Sequence, residues 1–103
     1  VVINFNELRD PELRESFLAS FGFMIKSLLK GIFGSGPPPS TTVMGKPREI
    51  QAFAQALKSE RNYLKALQKY DLDHPRTHKN KAKLKSSVKK FERDTGVKWP
   101  FDV

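Results

Sequence analysis

"GSGPPPSTT", residues 34–42, interrupts a chain of 103 residues, and its reading decides whether the chain is one fold or two units. Neither an α-helix nor a central strand continues through Pro37, Pro38 and Pro39. Each proline lacks the N–H that a hydrogen-bond ladder uses, and its ring clashes with the preceding helical turn. The charge also divides here. Residues 1–36 carry Arg9, Arg14, Lys26 and Lys30 against Glu7, Asp10, Glu12 and Glu15, for a net charge of zero. Residues 37–103 therefore carry the whole net charge of +8. A neutral apolar segment on one side and a basic segment on the other is the shift expected at a boundary. Proline stiffness, at ~3 Å per residue, predicts a semi-extended tether that holds the two apart.

Upstream of the prolines, "VVINF" at Val1–Phe5 has strand composition without an evident partner strand. Asp10 as N-cap, Pro11 at the first helical position and the acidic Glu12 and Glu15 then start a helix. Leu13, Phe17, Phe21, Ile25, Leu28 and Ile32 recur at steps of four or three and form its apolar stripe, which Leu18, Met24 and Leu29 widen. The far side is Ser16, Ala19, Ser20, Phe23, Lys26, Ser27 and Lys30, small residues around one phenylalanine. Gly31, Gly34 and Gly36 are expected to end the helix. Gly22, in mid-helix at a cost of about 1 kcal/mol against Ala, predicts close approach by another backbone. An arm that buries both faces against neighbouring subunits would use Phe17, Phe21, Phe23, Ile25, Leu28 and Ile32.

Downstream, "STTVMGKP" reads as extended chain and Pro47 opens a second helix. Its stripe is Ile50, Phe53, Ala54, Leu57, Leu64 and Leu67, flanked by Tyr63 and Tyr70; Glu60 and Arg61 narrow it. "YDLDHP" breaks the pattern, with Asp73 as the expected cap and Pro75 inside a third helix that runs to about Thr95 and stops at Gly96. Leu84, Val88 and Phe91 form its stripe. Val97, Trp99 and Phe101 lie just beyond the stop, placed to fold back and seal the pair. The short connection implies antiparallel neighbours. The expected fold is all-α: an N-terminal arm with an amphipathic helix (1–33), a Gly/Pro/Ser/Thr spacer (34–46) and a basic helical hairpin with a Trp/Phe clasp (47–103).

The third helix carries the strongest functional signal. At ~100° per residue, Arg76, Lys79, Lys83, Lys90 and Arg93 gather opposite the apolar stripe, and Lys81, Lys85 and Lys89 form a row on one flank. A solvated helix face normally mixes signs, because like charges three and four residues apart repel. A nearly unmixed face points to an anionic partner: phosphate backbone, acidic protein or anionic lipid. Lysine dominance and the lack of a recognition-module signature restrict the expectation to phosphate contact without base readout.

Other chemistry finds little footing. There is no cysteine, hence no disulfide and no thiolate metal site. His74 and His78 have i, i+4 spacing, but Pro75 stands between them and no third histidine exists, so a metal is not expected. Gly31, Gly34 and Gly36 lack the preceding strand and the following Lys-Ser/Thr of a phosphate loop. No serine or threonine sits in a nucleophile elbow. Neither an enzyme nor a cofactor is expected. The acidic first fifteen residues have the wrong charge for a targeting signal, and Val1-Val2 reads as the start left when an initiator Met is removed. Phe17 to Phe33 is too short and too charged for a membrane span.

The portion from "GKPREIQAFAQAL" through "YDLDHPRTHKNKAKL" to "FERDTGVKWPF" resembles small uncharacterised proteins encoded by tailed bacteriophages. That resemblance implies a virion component or accessory protein, located in the virion or the host cytoplasm, and transfers no site residues; a cytoplasmic location is the expectation otherwise. The leading expectation is a non-enzymatic structural component of a large assembly, with protein subunits as partners, homo-oligomeric copies among them. A sequence-independent nucleic-acid-binding protein is the alternative. A peripheral membrane protein using the first helix is the third reading.

Overall fold

The computed structural model describes residues 1–33 and 40–101, and only the backbone of residues 30–33. In chain order it contains β1 (Val2–Asn4), a 3₁₀ turn (Phe5–Arg9), α1 (Arg14–Phe33), β2 (Thr42–Met44), α2 (Pro47–Lys69) and α3 (Pro75–Thr95). The fold is largely all-α, with one small two-stranded sheet. Pro37–Pro39 lie outside the described residues.

The sheet answers the question posed by the prolines. "VIN" finds its partner in "TVM": β1 and β2 pair in parallel, Ile3 opposite Val43. Parallel strands cannot be joined by a hairpin and require a crossover, which α1 supplies. Strand β2 falls within the stretch read as a spacer, so the chain before α1 and the chain after it are fastened side by side. The expected tether does not hold α1 away from the hairpin. Helix α1 instead lies on it, and Phe17, Phe21, Ile25, Leu28 and Leu29 are buried in the common core.

That core is aromatic. Phe5, which opens the 3₁₀ turn directly after β1, is fully buried, and its ring centroid lies 5.5 Å from Phe17, 6.1 Å from Phe21, 5.5 Å from Phe53 and 6.1 Å from Phe91. Phe21 and Phe91 stack at 5.7 Å, which joins α1 directly to α3. Trp99 folds back and closes the cluster edge-on, 5.2 Å from Phe91 and 6.4 Å from Phe21. Such pairs contribute about 0.5–1.5 kcal/mol each beyond the area they bury. The expected clasp therefore seals all three helices and not the hairpin alone.

Four of the six residues expected to dock on a partner, Phe17, Phe21, Ile25 and Leu28, are thus occupied by this chain's own core. Phe23 is 74% exposed, and the side chain of Ile32 lies outside the described residues. Leu13, read as the first member of the stripe, is exposed because it precedes the regular helix. Asp10 is not the N-cap of α1, which begins at Arg14; it closes the 3₁₀ turn and holds the turn that follows, its Oδ1 accepting from the Glu12 N–H at 2.9 Å and its carbonyl from the Arg14 N–H at 3.0 Å. Gly31 does not end α1, which continues to Phe33. Gly22 meets a side chain and not a backbone: a Cβ there would stand 3.3 Å from the Pro100 Cβ.

Helix α2 is rotated relative to its expected stripe. Glu49, Ala52, Phe53, Ala56, Glu60 and Ala66 are buried, while Ala54 is exposed. Small Ala52 and Ala56 allow close packing on that side, and the larger Leu57 and Leu64 border the core half-buried. At the other turn, α3 is capped by His74, whose Nδ1 accepts from the Arg76 N–H at 3.1 Å, and not by Asp73. Gly96, at φ 73°, closes it in the left-handed conformation that favours glycine.

Candidate anion-binding surface

Helices α2 and α3 contain four acidic residues, Glu49, Glu60, Glu92 and Asp94. Each is committed inside the fold. Glu49 is 5% exposed; its Oε2 accepts from Arg9 Nη1 at 2.9 Å and its Oε1 from the Lys46 N–H at 2.8 Å. Burial alone would push this carboxyl up, but the Arg9 hydrogen bond, the Lys46 N–H and both positive charges hold it below the ordinary carboxylate value. Glu60 is 4% exposed and accepts from the Trp99 indole Nε1–H at 3.0 Å. Burial raises its pKa, and the Trp99 hydrogen bond only partly offsets that rise. Glu92 Oε2 accepts from the Trp99 backbone N–H at 2.9 Å, and Asp94 Oδ1 from Arg93 Nε at 3.3 Å, with the Asp94 side chain almost fully buried.

The exposed charge left on both helices is consequently positive. Lys79, Lys83 and Lys90 are exposed, and among the described residues no carboxylate stands within ion-pair distance of them. Lys85 and Lys89 are exposed on the flank, with Lys81 half-buried beside them. The two arginines of the expected face are partly engaged elsewhere. Arg76 Nη1 donates to the Tyr70 hydroxyl at 2.8 Å, with its guanidinium over the Tyr70 ring, and Arg93 bonds its neighbour Asp94. The three lysines are the better-presented members of the five-residue predicted face.

The structure adds a contribution from α2 that the reading of α3 alone does not contain. A groove of about 510 Å³ runs along the α2–α3 seam, lined by Gln55, Lys58, Ser59 and Asn62 from α2 and by Lys83, Ser86, Ser87 and Lys90 from α3. Hydroxyls of Ser59 and Ser87 bond to each other across the seam at 2.8 Å. Lys58 and Lys90 are shared with a neighbouring depression that extends the groove to Gln51 and Ala54. The lining thus combines three ammonium groups with amides and hydroxyls and contains no carboxylate, a donor-rich set suited to phosphate oxygens. The spacing of Gln55, Ser59 and Asn62 at steps of four and three marks this polar face in the sequence. Glu60, next to Ser59 in sequence, is buried against Trp99 and does not line the groove.

His74 and His78 do not come together as a metal pair. The His74 Nδ1 is spent on the helix cap and its ring stacks on Tyr70 at 4.1 Å, while His78 points to solvent from the next turn. Among the described residues no helix is long and apolar enough to cross a membrane. No protein-family model, no curated protein and no solved structure matches this chain.

Proposed function

We propose that this protein is a non-enzymatic module that binds the phosphate backbone of nucleic acid without reading base sequence. The observation that carries the reading is the disposition of charge. Every acidic side chain of α2 and α3 is engaged within the fold, and the lysines are left outside. From Arg76 to Arg93 the basic face extends about 26 Å at 1.5 Å per residue, long enough to follow several successive phosphates. Lys58, Lys83 and Lys90 converge on the groove, where a phosphate can receive charge and hydrogen bonds together. Lysine, a flexible point charge, suits contact with a backbone of any sequence better than bidentate base recognition.

Fluorescence anisotropy with a labelled duplex of arbitrary sequence tests this. Five phosphate contacts predict a slope of log affinity against log salt of about −4.5, which is roughly a 500-fold loss between 50 and 200 mM salt. Lys83→Gln with Lys90→Gln should make the slope shallower by about 1.8, equally for duplexes of different sequence. Absence of binding at 50 mM salt, or a salt-independent affinity, would overturn the proposal.

A second reading, a structural component of a larger assembly, is favoured by the exposed Phe23 on the outer face of α1. The form in which the whole of α1 serves as a detached arm loses its support, because that helix fills this chain's core.

A further inference from the structure

We infer that two copies of this chain associate through the outer face of α1, antiparallel about a two-fold axis near residue 21. The inference goes beyond the phosphate-binding reading and rests on a different surface. It begins with Phe23, the most exposed of the large hydrophobic side chains on a helix whose other face fills the core. Around it Ser16, Ala19 and Ser20 are exposed and small. Their polarity is largely neutralised within the helix: Ser20 Oγ donates to the Ser16 carbonyl at 2.9 Å, and Ser27 Oγ to the Phe23 carbonyl at 3.1 Å. Covering this face therefore strands few hydrogen-bond donors, while it removes an aromatic ring from water.

Self-complementarity identifies the occupant as a second copy. In an antiparallel pair, residues whose numbers share a midpoint lie opposite each other. Phe23 and Ala19 have their midpoint at residue 21, so each ring rests on Ala19 of the other copy, between Ser16 and Ser20. Glu15 and Lys26 have their midpoint within half a residue of the same axis. At ~100° per residue they lie about 20° apart on one flank of the face. A two-fold axis perpendicular to the helices brings that flank against its own copy, so each Glu15 meets the other Lys26. Both are exposed, and neither has an ion-pair partner among the described residues. One axis satisfies the aromatic contact and both charge pairs.

Charge also excludes most of the rest of the surface. Residues 1–36 are neutral, whereas the hairpin carries the excess that gives +8. Two copies that met through α2 or α3 would oppose lysine to lysine. A single helix face is small for an interface, so the dimer is a weak, concentration-dependent one.

Sedimentation equilibrium of the full chain, without nucleic acid, over 10 µM to 1 mM tests the inference. The expected result is a weight-average mass that rises from one chain toward two. Phe23→Glu should leave a monomer throughout, with an unchanged far-UV spectrum and melting temperature because the residue is exposed. Glu15→Lys and Lys26→Glu should each weaken association at least threefold, and the double exchange should restore it. The Lys26→Glu variant is decisive: relief of net repulsion between +8 chains would make it associate more tightly, whereas the paired geometry makes it weaker. A wild-type monomer at 1 mM, tighter association of Lys26→Glu, or failure of the double exchange to restore association would overturn the proposal. So would a monomer that is retained by anionic vesicles through Phe23, which would assign the face to lipid.

Discussion

Replacing Trp99 by Phe separates the two tasks of the clasp. The smaller ring keeps most of the contact with Phe91 and Phe21 but has no N–H to give to Glu60. Trimming an indole to a phenyl in a packed site costs about 1 kcal/mol in lost contacts. Leaving a buried carboxylate without its donor adds about 1–3 kcal/mol, at the upper end because the group is charged. The expected loss at pH 7 is therefore about 4 kcal/mol, a large share of the ~5–15 kcal/mol that stabilises a domain of this size. The pH dependence makes the test specific. Burial already holds the Glu60 pKa above its ordinary value of 4.5, and the Trp99 bond is what opposes that rise. A raised carboxyl pKa means that the native state holds the proton more tightly than the unfolded chain. Its destabilising effect is absent below 4.5 and grows as the pH rises toward the native value. Removing Trp99 Nε1–H raises that value further, so the gap between Trp99→Phe and wild type should widen with pH. Urea unfolding of both proteins from pH 4 to 8 measures the gap, and other carboxylates cancel in the difference. In a Glu60→Gln background the cost of Trp99→Phe should be flat with pH. A gap equally large at pH 4 and pH 7 would refute the reasoning.

The other buried carboxylate should behave with the opposite sign. Glu49 is held below its ordinary value, so its contribution is present above pH 4.5 and lost as the pH falls through the native value. Arg9→Ala should cost about 1 kcal/mol at pH 7, read by urea unfolding, and progressively less as the pH falls below 4.5. Two glycines should respond unequally to alanine in thermal melts. At Gly45, φ is 149° and a Cβ would stand 2.9 Å from the Phe5 Cβ and 3.0 Å from Glu49 Oε1, so Gly45→Ala should cost more than about 2 kcal/mol. At Gly96 a Cβ meets open space, and only the left-handed backbone is charged against the variant, at about 1 kcal/mol.

Much of the fold is written in local patterns. Pro47 and Pro75 open helices because the first helical position needs no N–H, and Gly96 stops one because it accepts φ 73°. The stripes of α1 and α3 give the correct buried faces through Phe17, Phe21, Phe91 and Leu84. In α2 the stripe misleads. Its apolar side chains border the core, while Glu49 and Glu60 enter it, because each finds a donor some forty positions away. No periodicity encodes a donor at that distance. The basic face of α3 is legible for the same local reason as its stripe, whereas the groove needs α2 and α3 laid side by side.

The sequence by itself determined the three helices, the prolines that open α2 and α3, the Gly96 stop and the excess of positive charge after the prolines, all of which depend on neighbours within one or two helical turns. Tertiary structure decided where α1 goes. Three residues of β1 pair with three of β2, and Phe5, directly after that strand, enters the space between Phe17, Phe53 and Phe91. The strand pairing and the contacts of Phe5 with Phe53 and Phe91 join segments at least forty residues apart, and their free energy comes from burial shared among elements that no single segment contains. The same closure engages the acids of α2 and α3 within the fold and leaves Lys79, Lys83 and Lys90 to the solvent.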